Sequence, residues 1–200
     1  VSENAKKIIV KSGLAEESKI FVTGLLRSDN LFIKRKEKKQ SITLFSFGHL
    51  TGPFTGILET KHYYFCKYDK EGFVKLFNNV HYIFMKLSRI FPNINFYIQP
   101  KYYEEGWINE INKISLNKFG HGLNKFKNLS IVKNPAQEMM RKSLLNICFN
   151  STVVLESRIM GEATLIPLFD EAKSNCKEIL FFKKYFKLFF TAKSQSEFEK

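Results

Sequence analysis

Three small polar residues, Asn150, Ser151 and Thr152, stand between two apolar runs in the stretch ICFNSTVVLESRIMGEATLIPLF, residues 147–169. Hydroxyl groups at such a junction can hydrogen-bond a phosphate and leave the backbone amides of a following helical turn open to its other oxygens. Glu156 lies one turn on from Thr152, on the same side of a helix. A carboxylate there can accept hydrogen bonds from both hydroxyls of a ribose. The same residues also read as an ordinary helix cap followed by a surface glutamate.

The elements that would position this knot follow from the flanking pattern. An apolar strand over 145–149 leads into it, a helix over 153–160 leaves it, Gly161 supplies a left-handed stop, and a second strand covers 163–168. Upstream, SITLFSFG (41–48) is a strand that ends at a glycine, and HLTGPFTG continues it as a loop broken by Gly52, Pro53 and Gly56. From Gly72 to Phe91 apolar residues recur at steps of three and four, which predicts a long amphipathic helix ending before Pro92. NINFYIQP is a further strand, and Trp107, Ile108, Ile111 and Ile114 mark one face of a short helix. NLSIVKN is another strand. NPAQEMMRKSLL opens a helix with Asn134 as cap, Pro135 in the first turn and Gln137 reaching back.

SKIFVTG (18–24) reads as a short strand, and the basic tail from Lys177 as a helix, a strand at 188–191 and a new helix at Ser194. Strands alternating with helices predict a Rossmann-like α/β fold, a parallel sheet with helices on both faces. In such open sheets ligands bind beyond the carboxyl ends of the strands.

Composition sets the outer limits. A chain of 200 residues with 44% hydrophobic content can bury one ordinary core. Its 32 Lys and Arg against 19 Asp and Glu give a formal charge of +13, which favours an anionic partner without choosing among nucleotide, nucleic acid and lipid surface. The crowding of Lys, Phe, Ile and Asn together also reads as coding bias. Cys66, Cys148 and Cys176 are too widely spaced for a zinc knuckle or disulfide framework, so a reducing cytoplasm fits best. No run is long and apolar enough to span a bilayer, and VSENAKKIIVKSG lacks a signal peptide's apolar core. The basic run 34–39 reads mainly as solvated surface. The basic-aromatic tail could lie on a membrane surface, although its Phe residues more often pack on a sheet.

ICFNSTVVLESRIMGEATLIP resembles the nucleotide-binding segment of GT-B glycosyltransferases: a strand, a Ser/Thr turn, a helix bearing Glu, a glycine, and a strand ending near proline. It is most similar to bacterial surface-carbohydrate transferases, a set that includes capsule and lipopolysaccharide enzymes and the CDP-glycerol glycerophosphotransferases. KIFVTGLLRSD is similar to their linker entry through Val22, Thr23, Gly24, Arg27 and Asp29, with Leu26 where proline is usual.

The resemblance implies one lobe of a GT-B fold over 1–200, with 1–40 as linker entry and the acceptor-binding lobe absent. It implies a nucleotide-activated sugar as substrate, a glycan or lipid-linked acceptor, no metal or other cofactor, and no nucleic-acid partner. It also implies a cytoplasmic setting at the inner face of the plasma membrane. Ser46, Gly48, His49 and Gly52 would lie near the phosphates, His49 stabilising the leaving diphosphate or acting as an acid. An exposed loop histidine is the alternative there. Lys101 would meet phosphate charge or simply be solvated. Lys133, Asn134 and Pro135 would follow the strand whose exit loop reads the base, largely through backbone atoms.

No carboxylate pair, Ser-His-Asp spacing or metal cluster argues for self-contained hydrolysis. The competing readings are a sugar-nucleotide epimerase of the same fold, a nucleic-acid or anionic-surface binding protein, and a degenerate lobe serving as scaffold. An epimerase typically carries Asp-Ser-Gly-Gly and paired glutamates at the turn, and FNSTVVLES has neither.

Overall fold

The computed structural model describes residues 3–22, 31, 40–48, 73–100, 105–173, 180 and 182–200. The chain divides into two compact units, Val1–Arg35 and Lys36–Lys200. In the first, helix α1 (Glu3–Lys11) is closed by Gly13 at φ 72, a left-handed position that glycine adopts without a Cβ penalty. A 3-10 turn follows at Glu17–Lys19. The strand expected at 18–24 does not form over its described part. Ile20 is extended, but Phe21 is exposed and no ladder takes up residues 20–22, and an extended segment without a partner strand is not a stable element.

The second unit is a six-stranded, all-parallel sheet with helices on both faces, the Rossmann-like α/β arrangement that the alternation of strand and helix predicts. Its elements are β1 (Ser41–Phe45), α2 (Val74–Ile90), β2 (Asn95–Gln99), α3 (Glu105–Phe119), β3 (Leu129–Ile131), α4 (Ala136–Lys142), β4 (Ser143–Cys148), α5 (Val153–Ile159), β5 (Thr164–Pro167), β6 (Phe190–Ala192) and α6 (Gln195–Glu199). The strand order is β3-β2-β1-β4-β5-β6. Strand order therefore reverses between β1 and β4, which lie side by side.

Alternation along β4 shows how the two faces are covered. Leu145 and Ile147 share an apolar cavity wall with Phe84 of α2 and Phe198 of α6. Asn146, between them, points the other way and donates from Nδ2 to Ser157 Oγ of α5 at 3.1 Å. So α2 and α6 cover one face and α5 the other.

Helix α2 forms because Leu76, Phe77, Val80, Ile83 and Phe84 fall on one stripe and are all buried. Its C-terminus is set by Pro92, with Phe91 N–H still bonding to the Leu87 carbonyl at 2.9 Å. Its first turn is closed from far along the chain. The buried carboxylate of Glu171 accepts the N–H of Lys75 at 2.8 Å and of Leu76 at 2.9 Å, satisfying two donors that a helix start leaves open.

Two local expectations change. The cap of α4 is Pro135 rather than Asn134, because Pro135 is still extended at ψ 131 and its carbonyl takes the N–H groups of Glu138 and Met139. In the tail, the expected helix takes the 3-10 form over Lys183–Leu188, entered through Phe182 at φ 61. The strand and final helix do form, with Ser194 Oγ accepting the Glu197 N–H at 3.2 Å.

Candidate functional site

Aromatic packing brings the exits of β1 and β4 together. Phe47, just past β1, meets Phe149, just past β4, with ring centroids 4.7 Å apart, and Phe149 meets Phe73 at 4.9 Å. Ring pairs of this kind add roughly 0.5–1.5 kcal/mol each beyond their buried area. They hold a pocket of about 140 Å³ over the carboxyl ends of β1, β2 and β4, lined by Ser46, Gln99, Pro100, Asn150 and Ser151 among others. This is where strand order reverses, the point at which open α/β sheets bind ligands. Complete ligand sites run to roughly 300–1,000 Å³, so the pocket takes only part of a ligand.

A larger cavity of about 460 Å³ lies between α2, α6 and the sheet, lined by Ile42, Phe91, Ile94 and Phe96 toward the strands' amino ends. Its wall is mostly apolar, with Glu197, Glu199 and Lys200 also lining it, and it stands away from the strand exits. The smaller pocket carries the polar groups that could orient a ligand.

Ser46 is held by three elements. Its N–H donates to the Gln99 carbonyl at 2.8 Å, extending the ladder past β1. His81 of α2 donates from Nδ1 to the Phe77 carbonyl at 2.7 Å, so its Nε2 is the acceptor for the Ser46 hydroxyl at 2.9 Å. Trp107 of α3 donates from Nε1 to Ser46 Oγ at 3.1 Å. The hydroxyl proton of Ser46 is thus committed to His81, and what Ser46 can still offer a ligand is a lone pair. Burial lowers the His81 pKa to about 4, only partly offset by the bond to Phe77, and the ring is neutral at ordinary pH.

The turn between β4 and α5 puts Asn150 at φ 49, a left-handed conformation uncommon outside glycine. Ser151 Oγ accepts the Val153 N–H at 3.4 Å, a long contact that leaves capping and ligand binding both open to it.

Of the residues singled out by the sequence, Ser46, Asn150 and Ser151 line one pocket. Gly48 is half-buried two residues past Ser46. Thr152 is exposed and Glu156 half-buried, and neither lines the pocket. Lys133 and Asn134 are exposed on the loop after β3, where the Asn134 carbonyl accepts the Gln99 Nε2 donor at 2.6 Å. His49, Gly52 and Lys101 lie outside the described residues, as do Thr23, Gly24, Leu26, Arg27 and Asp29 of the linker entry, whereas Val22 is described and partly exposed. His81, Trp107 and Gln99 were not foreseen as site residues. His81 sits on the apolar stripe of α2 four residues after Phe77, a position that spacing alone assigns to the core.

Among the described residues no three His, Cys, Asp or Glu side chains converge to hold a metal ion, and no helix is long and apolar enough to cross a membrane. The described groups are suited to binding and orienting a ligand.

No protein-family model matches the chain, and no curated protein matches it. Solved structures similar to it include the UDP-GlcNAc 2-epimerase of Neisseria meningitidis bound to UDP-GlcNAc, at 15% identity and TM-score 0.44 over 82% of this chain. A glycosyltransferase of Rickettsia africae is similar at 11% identity and TM-score 0.46 over 100% of this chain and 50% of its own. Anabaena Alr3699/HepE in complex with UDP and glucose is similar at 11% identity and TM-score 0.46, over 99% of this chain and 50% of its own. The chain spans 42% of the length of the Neisseria epimerase.

Proposed function

We propose that this chain is the nucleotide-sugar-binding lobe of a GT-B glycosyltransferase that builds a bacterial surface polysaccharide such as capsule or lipopolysaccharide. The observation that carries the reading is the pocket at the reversal of strand order, walled by the exits of β1, β2 and β4. It is supported by the Asn150-Ser151-Thr152 turn, two of whose residues line that pocket.

In this reading Asn150 and Ser151 meet the phosphates and Glu156 the ribose. Gly48, Gly52 and Lys101 flank the diphosphate, Ser46 beside them accepts a hydrogen bond from the ligand, His49 stabilises the diphosphate as it leaves, and Lys133 and Asn134 border the base. The sugar donor is a substrate, no metal takes part, and the acceptor and its general base belong to a second lobe. The lobe alone binds without turnover, at the cytoplasmic face of the membrane.

Amide chemical-shift mapping tests it. Addition of CMP, CDP, UDP, GDP or ADP is expected to perturb residues 45–48, 99, 134 and 149–153 with one nucleotide preferred. Shifts confined to the Lys-rich surface of residues 183–193, equal for all five, contradict it.

A further inference from the structure

Gln99 closes β2 opposite Phe45 and lines the pocket. Its Nε2 donates to the Asn134 carbonyl at 2.6 Å, and a carbonyl can only accept, so the orientation of the amide is fixed. Flipping it would set two acceptors against each other. That orientation turns Oε1 inward, shielded from water and, among the described residues, without a hydrogen-bond partner. A buried acceptor left unpaired is a cost that native proteins rarely keep without a reason.

We propose that Gln99 is a ligand-reading residue whose Oε1 accepts a hydrogen bond from an N–H or O–H group of the bound nucleotide sugar. The inference rests on the reading of the pocket as a nucleotide-sugar site and adds which part of the ligand meets the β2 wall. The group that Gln99 has left to offer there is an acceptor, Oε1, since its Nε2 is taken by the Asn134 carbonyl. An acceptor repels phosphate oxygens and selects a neutral group that carries donors, the base, the ribose or the sugar. Phosphate is left to the groups assigned to it above, Asn150 and Ser151 among them. The oxygen is shielded in this structure, so the contact requires the groups around it to give way as the ligand seats against the wall.

The test is calorimetric titration of the wild-type chain and Gln99→Leu with UDP, CDP, GDP and ADP, each alone and as its glucose conjugate, beside the thermal midpoint of each protein. Gln99→Met serves if the leucine variant fails to fold. The expected result is a loss of about tenfold in affinity for the preferred probe, the size of one hydrogen bond. The thermal midpoint should change little, because the substitution removes the unpaired acceptor together with the bond to the Asn134 carbonyl, and Asn134 is exposed to water.

A loss seen with the nucleoside diphosphate alone assigns the donor to base or ribose, and one seen only with the conjugate assigns it to the sugar. Unchanged affinity in a variant whose parent binds overturns the role of Gln99 and leaves the nucleotide site standing. A wild-type chain that binds none of the probes removes the nucleotide site and this inference with it.

Discussion

The Ser46 hydroxyl donates to His81 Nε2 at 2.9 Å, although 35 residues separate the two in sequence. The contact ties the exit of β1 to the middle of α2, and the Trp107 donor adds α3 to the same oxygen. The pocket wall is therefore fixed by a histidine that works only when neutral.

That dependence gives a pH signature. The folded-state pKa of His81, about 4, lies below the ordinary histidine value of 6.5, so the unfolded chain binds the proton first as pH falls. Stability from the neutral ring is complete above pH 6.5, declines between 6.5 and 4, and is exhausted below. A difference of this size corresponds to about 3 kcal/mol. Urea unfolding at pH 7.5 and pH 4 should show this loss in the wild-type chain and its absence in His81→Gln. An equal loss in both proteins would mean that His81 is not held neutral.

Glu171 is a helix cap delivered from 95 residues away, and both of its carboxylate oxygens accept backbone N–H groups. Glu171→Ala should lower unfolding free energy by about 2 kcal/mol, the order expected when a charged acceptor is lost from a helix start. Glu171→Gln should cost less. Faster amide exchange at Lys75 and Leu76 in Glu171→Ala locates the effect, and exchange unchanged at both would argue against the cap.

Cys148 is buried at the end of β4, and burial pushes its thiol well above the usual range. Iodoacetamide should label the peptide carrying Cys148 slowly in native buffer and rapidly in urea, read by mass spectrometry. Labelling at the unfolded rate under native conditions would mean that β4 is not packed as described.

Much of the fold was legible because it rests on local periodicity. The stripe from Leu76 to Leu87 announces α2, and the apolar runs bounded by Gly, Pro and Asn announce β1, β2, β4 and β5. The strand expected at 18–24 does not form over the described residues 18–22, because an extended segment needs a partner strand, which no local pattern supplies. Asn134 had the chemistry of a cap, but Pro135 remains extended and takes that place.

The site was legible in part for the same reason. Asn150 and Ser151 declare themselves by interrupting apolar sequence. His81, Trp107 and Gln99 do not, since their roles come from strand order and from contacts 35 to 61 residues apart.

The central claim is that the pocket between β1 and β4 binds a nucleotide through the Asn150-Ser151 turn. Calorimetric titration of the chain with CMP, CDP, UDP, GDP and ADP at moderate salt, repeated on Ser151→Ala and Glu156→Ala, tests it directly. Selective binding of one nucleotide is expected, weakened about tenfold in each variant, as for a lost hydrogen bond. Absence of binding to all five, together with tight salt-sensitive binding to DNA or anionic vesicles that both variants retain, would contradict it and leave the +13 charge as the functional signal.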